Sequence, residues 1–149
     1  GLTDDGRYYN MRGVDITDQC GVFDPFVTEC SCPSIGIGDG GNEIGMGKVR
    51  DAVTSLSIRG AVTPCDELVV ADVSNWGAYA LILFLGRWAG KDLLADQAPL
   101  EVLEYLSSLG SVDGVTGENT LTEDGMSADE GIALIEELRL LADGALLDD

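Results

Sequence analysis

Several kinds of residue are scarce in this sequence, and each absence excludes a class of protein. There is no histidine, which excludes a zinc site built on imidazole ligands. The longest apolar run, 78–85, is far shorter than the roughly 20 residues of a membrane-spanning helix, so no membrane span is expected. Of four cysteines only Cys30 and Cys32 are close in sequence, which does not fit a zinc site of four sulfurs. Without a secretory signal, we expect reduced thiols in a cytoplasmic protein.

Positive charge is also scarce. The chain has 27 acidic and 8 basic residues, a net charge of −19, and only two of the basic residues are lysines. Such a chain repels the phosphates of nucleic acids and the surfaces of anionic membranes, so neither is expected as a partner. The acidic residues are dispersed, which is typical of proteins that work in molar salt, where the Debye length is about 3 Å. We therefore interpret the protein as halophilic, and its acidity as a property of its environment.

Two apolar segments, 33–39 and 67–72, are typical of buried strands, and each ends at an aspartate. Because they alternate with amphipathic segments, the sequence predicts the α/β class, with a mostly parallel sheet flanked by helices. Alternation around Val14 indicates a third short strand. Since so few strands are marked, we expect part of a larger sheet, or its edge, within a single domain formed by residues 1–149.

Helix signals flank several other segments. Ser74 and Asn75 are suitable N-cap residues, and Ser127 followed by Glu130 has the capping-box pattern. Gly110 is a suitable C-cap. The apolar spacing predicts helices over 22–30, 48–56, 76–90, 100–109 and 128–141.

The two strand-end aspartates, Asp39 and Asp72, are candidate functional residues. In open parallel sheets the ligand crevice lies beyond the carboxyl ends of the strands. If the two strands are neighbours, both carboxylates reach the same crevice. Each could instead only cap the segment that follows it, but with Asn42 and Glu43 nearby the set favours a functional site.

Residues 38–47, GDGGNEIGMG, form what we call the glycine-rich loop. The overlapping residues 36–41 match the G-x-G-x-x-G fingerprint of dinucleotide-binding proteins. However, the first two glycines of the match lie inside the predicted strand, and no carboxylate ends a second strand about 20 residues later. We therefore expect neither a nicotinamide nor a flavin cofactor.

Oxygen ligands near this loop suit a hard divalent cation. Asp39, Asn42, Glu43 and Asp72 offer carboxylate and amide oxygens, which Mg²⁺ and Mn²⁺ prefer. A cation would also let this acidic loop bind an anionic ligand. The alternative is a glycine-rich turn with solvated carboxylates, and the residue types alone leave both interpretations open.

Four segments resemble one known family, and they occur in the same order. They are YYNMRG at 8–13, IGDGGNEIGMG at 37–47, PCD at 64–66 and ADVSNWGAYA at 71–80. Together they resemble the D-glutamate cyclase family, long catalogued as a domain of unknown function, and the helical tail matches by pattern only. The chain looks like the C-terminal portion of that domain, in a form typical of halophilic archaea.

The resemblance implies a lyase that converts D-glutamate to 5-oxo-D-proline with loss of water, assisted by Mn²⁺ or Mg²⁺. In this interpretation Asp72 is the general base, and Asp39 and Glu43 complete the catalytic set. The metal ligands would be Asp39, Asn42, Glu43 and Asp72. The substrate-binding residues would be Asn10, Arg12, Gly40, Gly41, Asn42 and Asn75, with Arg12 holding the α-carboxylate and the two glycine N–H groups receiving the developing oxyanion.

Two other functions stay open. One is a metal-dependent hydrolase, such as a phosphatase, that uses the same acidic residues. The other is a non-catalytic binding fragment of the cyclase fold. Arg12 could likewise form a structural ion pair instead of binding a carboxylate. The expected partner is a small-molecule substrate, and assembly into a homo-oligomer is left open.

Overall fold

The computed structural model describes residues 1–95 and 99–144 of the chain. The chain divides into two compact units, Gly1–Gly77 and Ala78–Asp149. The described strands are β1 (Ile35–Gly38), β2 (Glu67–Val70), β3 (Thr122–Glu123) and β4 (Met126–Ser127). The described α-helices are α1 (Asp24–Thr28), α2 (Arg50–Val53), α3 (Ser74–Ala89), α4 (Pro99–Ser108) and α5 (Ala128–Gly144). Short 3-10 helices lie at Thr17–Gln19 and Gly47–Val49.

The first unit contains the parallel sheet. Strand β1 pairs with β2 in parallel, with Ile35 opposite Glu67 and Gly38 opposite Val70. The two apolar strands predicted from the sequence are therefore neighbours, and helices accompany them. In the described residues this parallel sheet has two strands, so the mostly parallel sheet is only partly present.

The third strand expected near Val14 is reduced to one antiparallel bridge between Tyr9 and Asp15. The chain reverses within a few residues, because the side-chain oxygen of Asn10 accepts the N–H of Val14 at 3.0 Å. Gly13 completes this tight turn with a φ of +71°. Shortly after Asp15 the backbone enters the 3-10 helix at Thr17–Gln19, which ends the strand pairing.

The core of the first unit lies beneath the glycine-rich loop. Met46, Val53 and Ala61 are buried there, and partly buried apolar side chains pack around them. The N–H of Ala61 donates to the carbonyl oxygen of Gly41 at 2.9 Å, which fixes the loop to this core. Burial of these side chains therefore positions the loop that the sequence marks as functional.

The second unit is built on α4 and α5, which pack against each other. The predicted capping box opens α5: the N–H of Ser127 donates to the Glu130 carboxylate at 2.7 Å, and the N–H of Glu130 donates to the Ser127 hydroxyl oxygen at 3.3 Å. This prediction is confirmed. These bonds to the carboxylate hold the pKa of Glu130 below its usual value.

Strands β3 and β4 form a hairpin in the second unit. Its turn is Asp124-Gly125, and both residues have positive φ, at 51° and 82°. Asp-Gly is a preferred pair for such a two-residue turn. Among residues 1–95 and 99–144, no helix combines the length and apolar character that crossing a membrane requires.

Candidate functional site

The carboxyl ends of β1 and β2 meet at one edge of the sheet in the first unit. The N–H of Ala71 donates to the carbonyl oxygen of Gly38 at 3.1 Å, which extends the pairing by one residue. Asp39 follows β1 directly, and Asp72 comes two residues after β2. The parallel register thus places both strand-end aspartates at the same edge, where ligands of open parallel sheets bind.

The two aspartates differ in what they contact. Asp39 is half-buried, and its Oδ2 accepts the backbone N–H of Ser74, the first residue of α3, at 2.9 Å. A carboxylate is favoured there, because the N–H groups and dipole at a helix N-terminus attract negative charge. Asp72 is exposed and makes no hydrogen bond or ion pair with the described part of the chain.

The carboxylate of Glu43 binds two backbone N–H groups within its own glycine-rich loop. Its Oε1 accepts the N–H of Gly40 at 3.0 Å, and its Oε2 accepts the N–H of Gly41 at 2.8 Å. The sequence interpretation assigns these two N–H groups to a developing oxyanion. In the structure they bind a carboxylate of the chain itself. The N–H groups of Gly40 and Gly41 can therefore bind a carboxylate. Glu43 must leave them before a ligand can bind there.

Backbone conformation and close packing both favour glycine in the loop. Gly41 has a φ of +102°, and a Cβ there would lie 2.7 Å from Ile58 Cδ1. A Cβ on Gly40 would lie 2.5 Å from the Met11 sulfur. A side chain at position 41 would be strained by the backbone conformation, and one at position 40 would have to displace the flexible end of Met11.

The segment 8–13 lies against the glycine-rich loop, so the structure brings together two of the sequence motifs. Nδ2 of Asn42 donates to the carbonyl oxygen of Tyr9 at 3.0 Å. The side-chain oxygen of Asn10 accepts the N–H of Arg12 at 3.0 Å as well as that of Val14. Asn10 thus shapes the turn that carries Arg12, whose side chain is exposed. Asn75 is exposed in the first turn of α3.

The residues with metal-binding chemistry do not converge. In the described part of the chain, no three His, Cys, Asp or Glu side chains lie together so that they could hold a metal ion. Asp39 and Glu43 are each directed at backbone N–H groups, and the Asn42 amide group is directed at Tyr9. The oxygen donors suit Mg²⁺ or Mn²⁺, but their arrangement does not fit a ligand cluster, so a divalent cation stays a prediction.

Sequence reasoning missed a buried polar network that supports this site. Asp24 is only 5% exposed, and its Oδ2 accepts the Tyr8 hydroxyl at 2.8 Å. Its Oδ1 accepts the Thr63 hydroxyl and the N–H of Leu2. The carbonyl oxygen of Thr63 in turn accepts the N–H groups of Gly45 and Gly47 at 3.0 and 3.1 Å. The network therefore connects α1 to the end of the glycine-rich loop.

Burial and hydrogen bonding act in opposite directions on this network. Burial alone raises the pKa of Asp24, but one backbone N–H and two hydroxyl donors outweigh it and hold the pKa below its usual value. Burial, reinforced by the bond to Asp24, raises the pKa of Tyr8 to about 12. No periodic signal marks Asp24, since it lies beside Phe23 and Pro25 in a segment recognised only by its apolar spacing.

This chain belongs to the D-glutamate cyclase-like, C-terminal family, which matches residues 1–139. The match includes every candidate site residue, and the family resemblance expected from the four sequence segments is confirmed. A curated relative is the mitochondrial D-glutamate cyclase of Homo sapiens. It is 45% identical over 89 residues, an alignment that takes in 54% of this chain and 14% of the relative. The chain therefore spans much less than two thirds of that relative's length.

Proposed function

We propose that this chain carries the crevice in which D-glutamate is dehydrated to 5-oxo-D-proline. The observation that supports this most is the difference between the two strand-end aspartates. Asp39 is already bound to the N-terminus of α3, whereas the exposed carboxylate of Asp72 is available to a ligand at the same sheet edge. Family membership and the name of the human relative favour D-glutamate as that ligand.

The reaction joins two ends of one molecule. The α-amino nitrogen forms a bond to the γ-carboxyl carbon, and one γ-carboxyl oxygen leaves as water. Because the amine is protonated at neutral pH, it must lose a proton before it can attack. In our proposal Asp72 accepts that proton and passes it to the departing oxygen. After the attack the nitrogen gives up a second proton, which Asp72 passes to the same oxygen, so the oxygen leaves as water and the product keeps one N–H.

The remaining polar residues would hold the substrate in a ring-closing conformation. The exposed guanidinium of Arg12 suits the α-carboxylate, because arginine binds carboxylates through two parallel hydrogen bonds. The packing of Met11 against Gly40 and the turn shaped by Asn10 keep Arg12 beside the glycine-rich loop. Asn75, exposed at the start of α3, is proposed to bind a second substrate oxygen.

The glycine-rich loop has a more specific role in this proposal. Its pair of N–H groups binds the Glu43 carboxylate, which has the same chemistry as the γ-carboxylate of the substrate. We propose that the substrate carboxylate replaces Glu43 at Gly40 and Gly41, where the N–H groups stabilise charge that develops on oxygen.

A divalent cation would supply Lewis acidity for the γ-carboxylate. Asp39, Asn42, Glu43 and Asp72 offer oxygen donors that suit Mn²⁺ or Mg²⁺, but the described structure does not bring their carboxylates together as a ligand cluster, so the cation stays a prediction. Titration of the chain with MnCl₂, followed by its thermal unfolding, tests this point separately from turnover.

The deciding experiment compares substrates under one set of conditions. The purified chain is incubated in molar KCl and MnCl₂ with D-glutamate, with L-glutamate, or with a generic phosphomonoester, and the products are separated by chiral chromatography. The proposal expects 5-oxo-D-proline from D-glutamate alone. Phosphate release would support the hydrolase alternative instead. Thermal stabilisation by D-glutamate without any product would identify a non-catalytic binding fragment.

A further inference from the structure

Cys30 and Cys32 form a pair of exposed thiols that the proposed reaction does not use. Their Sγ atoms lie 2.7 Å apart, closer than two non-bonded sulfur atoms normally approach. Both side chains are free and exposed, whereas Cys20 and Cys65 are half-buried. The pair is therefore accessible to a small reagent from solution.

Hydrogen bonds before Cys30 and after Cys32 fix the segment that carries the two thiols. Cys30 follows α1, whose end is closed by the N–H of Glu29 donating to the Pro25 carbonyl oxygen at 2.9 Å. Two residues after Cys32, the N–H and hydroxyl of Ser34 donate to Oδ2 of Asp66 at 2.7 and 2.9 Å. The thiols thus lie between two anchored points, which limits how far they can separate.

The thiols also differ in how readily they ionise. The hydrogen bond from Cys32 lowers the pKa of Cys30. The same bond, together with the charge of a Cys30 thiolate and of Asp66, raises the pKa of Cys32. Of the two thiols Cys30 therefore ionises more readily, so Cys30 suits the role of attacking thiol and Cys32 that of resolving thiol.

We propose that Cys30 and Cys32 form a thiol–disulfide exchange site, which a low-molecular-weight disulfide oxidises to an intramolecular disulfide. The Cys30 thiolate attacks one sulfur of the reagent, forms a mixed disulfide and releases one thiolate. Cys32 then loses its proton and attacks Cys30, and the second half of the reagent leaves as a thiolate. Two protein thiols are oxidised to one disulfide, and one reagent disulfide is reduced to two thiols.

The test uses the chain of residues 1–149 in its reduced form, freed of reductant and exposed to oxidised glutathione. After the reaction is stopped with N-ethylmaleimide, a protease that cleaves after glutamate cuts at Glu29 and Glu43 and separates residues 30–43 from Cys20 and Cys65. We expect mass spectrometry to find peptide 30–43 unalkylated and lighter by two hydrogens. If the oxidised chain is reduced before N-ethylmaleimide is added, the same peptide should be alkylated at both cysteines.

Single variants separate the two sulfurs. Cys32→Ser should retain glutathione on Cys30 as a stable mixed disulfide, and Cys30→Ser should react severalfold more slowly than the wild-type chain. Cys65→Ser is the control and should leave closure of the pair unchanged, because the Cys65 Sγ is bound to the carbonyl oxygen of Glu67 at 2.9 Å. Alkylation of both cysteines in the treated wild-type chain, or a bond from either of them to Cys20, would overturn the proposal.

Discussion

The carboxylate of Asp39, at the end of β1, accepts the backbone N–H of Ser74, at the start of α3, over 2.9 Å. This contact joins two residues that are 35 positions apart in sequence. It also assigns the two strand-end aspartates to different tasks, since Asp39 stabilises a helix and Asp72 stays available at the same sheet edge. The candidate site therefore rests on one aspartate that supports the fold and another that can take part in chemistry.

Asp39→Ala should lower the free energy of unfolding by about 1–2 kcal/mol, because it removes both a cap and a favourable charge from the N-terminus of α3. Asp39→Asn keeps a hydrogen-bond acceptor without the charge, so its loss should be smaller. Urea unfolding of the three chains measures both effects. Equal stability of Asp39→Ala and the wild-type chain would show that the bond to Ser74 contributes nothing to folding.

Gly41→Ala should lower the free energy of unfolding by about 1–3 kcal/mol. An alanine at this position would have to adopt a φ of +102°, and its Cβ would lie 2.7 Å from Ile58 Cδ1. Gly114→Ala is the matched control, because no atom lies within 4 Å of the position its Cβ would take. If the two variants unfold at the same urea concentration, the glycine-rich loop does not need its bare backbone.

Local signals explain which parts of the fold could be predicted from the sequence. The pair Ser127 and Glu130 lies within one helical turn, and its capping box forms as expected. The bond between Asp39 and Ser74 depends on how two strands pair, which no local pattern reveals. The sequence therefore suggested Ser74 itself as the cap of α3. In the structure the carboxylate of Asp39, distant in sequence, accepts the N–H of Ser74.

The same difference between local and long-range interactions applies to the candidate site. The glycine-rich loop was recognisable from its composition, but its occupation by Glu43 depends on backbone directions that composition does not specify. The network of Tyr8, Asp24 and Thr63 was missed because it joins three distant segments through single polar side chains.

Tyr8→Phe should change how stability depends on alkaline pH. The folded state raises the pKa of Tyr8 from 10.0 to about 12, because burial and the bond to Asp24 favour the neutral phenol. Its contribution to stability is complete below the unfolded pKa and is lost as pH rises through the folded pKa. The wild-type chain should therefore lose stability more steeply than the variant between these two values.

Urea unfolding from about pH 8 to about pH 11 measures this difference. Burial and the bond to Glu123 also raise the pKa of Tyr79, so Tyr8→Phe should remove only part of the alkaline loss. Tyr105→Phe alters an exposed tyrosine and serves as the control. If Tyr8→Phe and Tyr105→Phe give parallel pH profiles, the buried network does not influence the ionisation of Tyr8.

Salt should increase both stability and activity. The chain carries a net charge of −19 and its proposed substrate is an anion, so the two repel each other in dilute buffer. Raising KCl from about 0.1 M to about 1 M shortens the Debye length from about 10 Å to about 3 Å and screens this repulsion. We expect KM for D-glutamate to fall severalfold and the melting temperature to rise. Maximal activity in dilute buffer would contradict the halophilic interpretation.

The central claim is that Asp72 moves the proton in ring closure, and one measurement tests it most directly. The rate of 5-oxo-D-proline formation from D-glutamate is compared for the wild-type chain, Asp72→Asn and Asp51→Asn, where Asp51 is an exposed carboxylate on α2. We expect Asp72→Asn to lose at least about 100-fold in kcat, as is typical when a general base is removed, with unchanged thermal stability. Asp51→Asn should keep wild-type turnover. A folded Asp72→Asn chain that forms product at the wild-type rate would contradict this account.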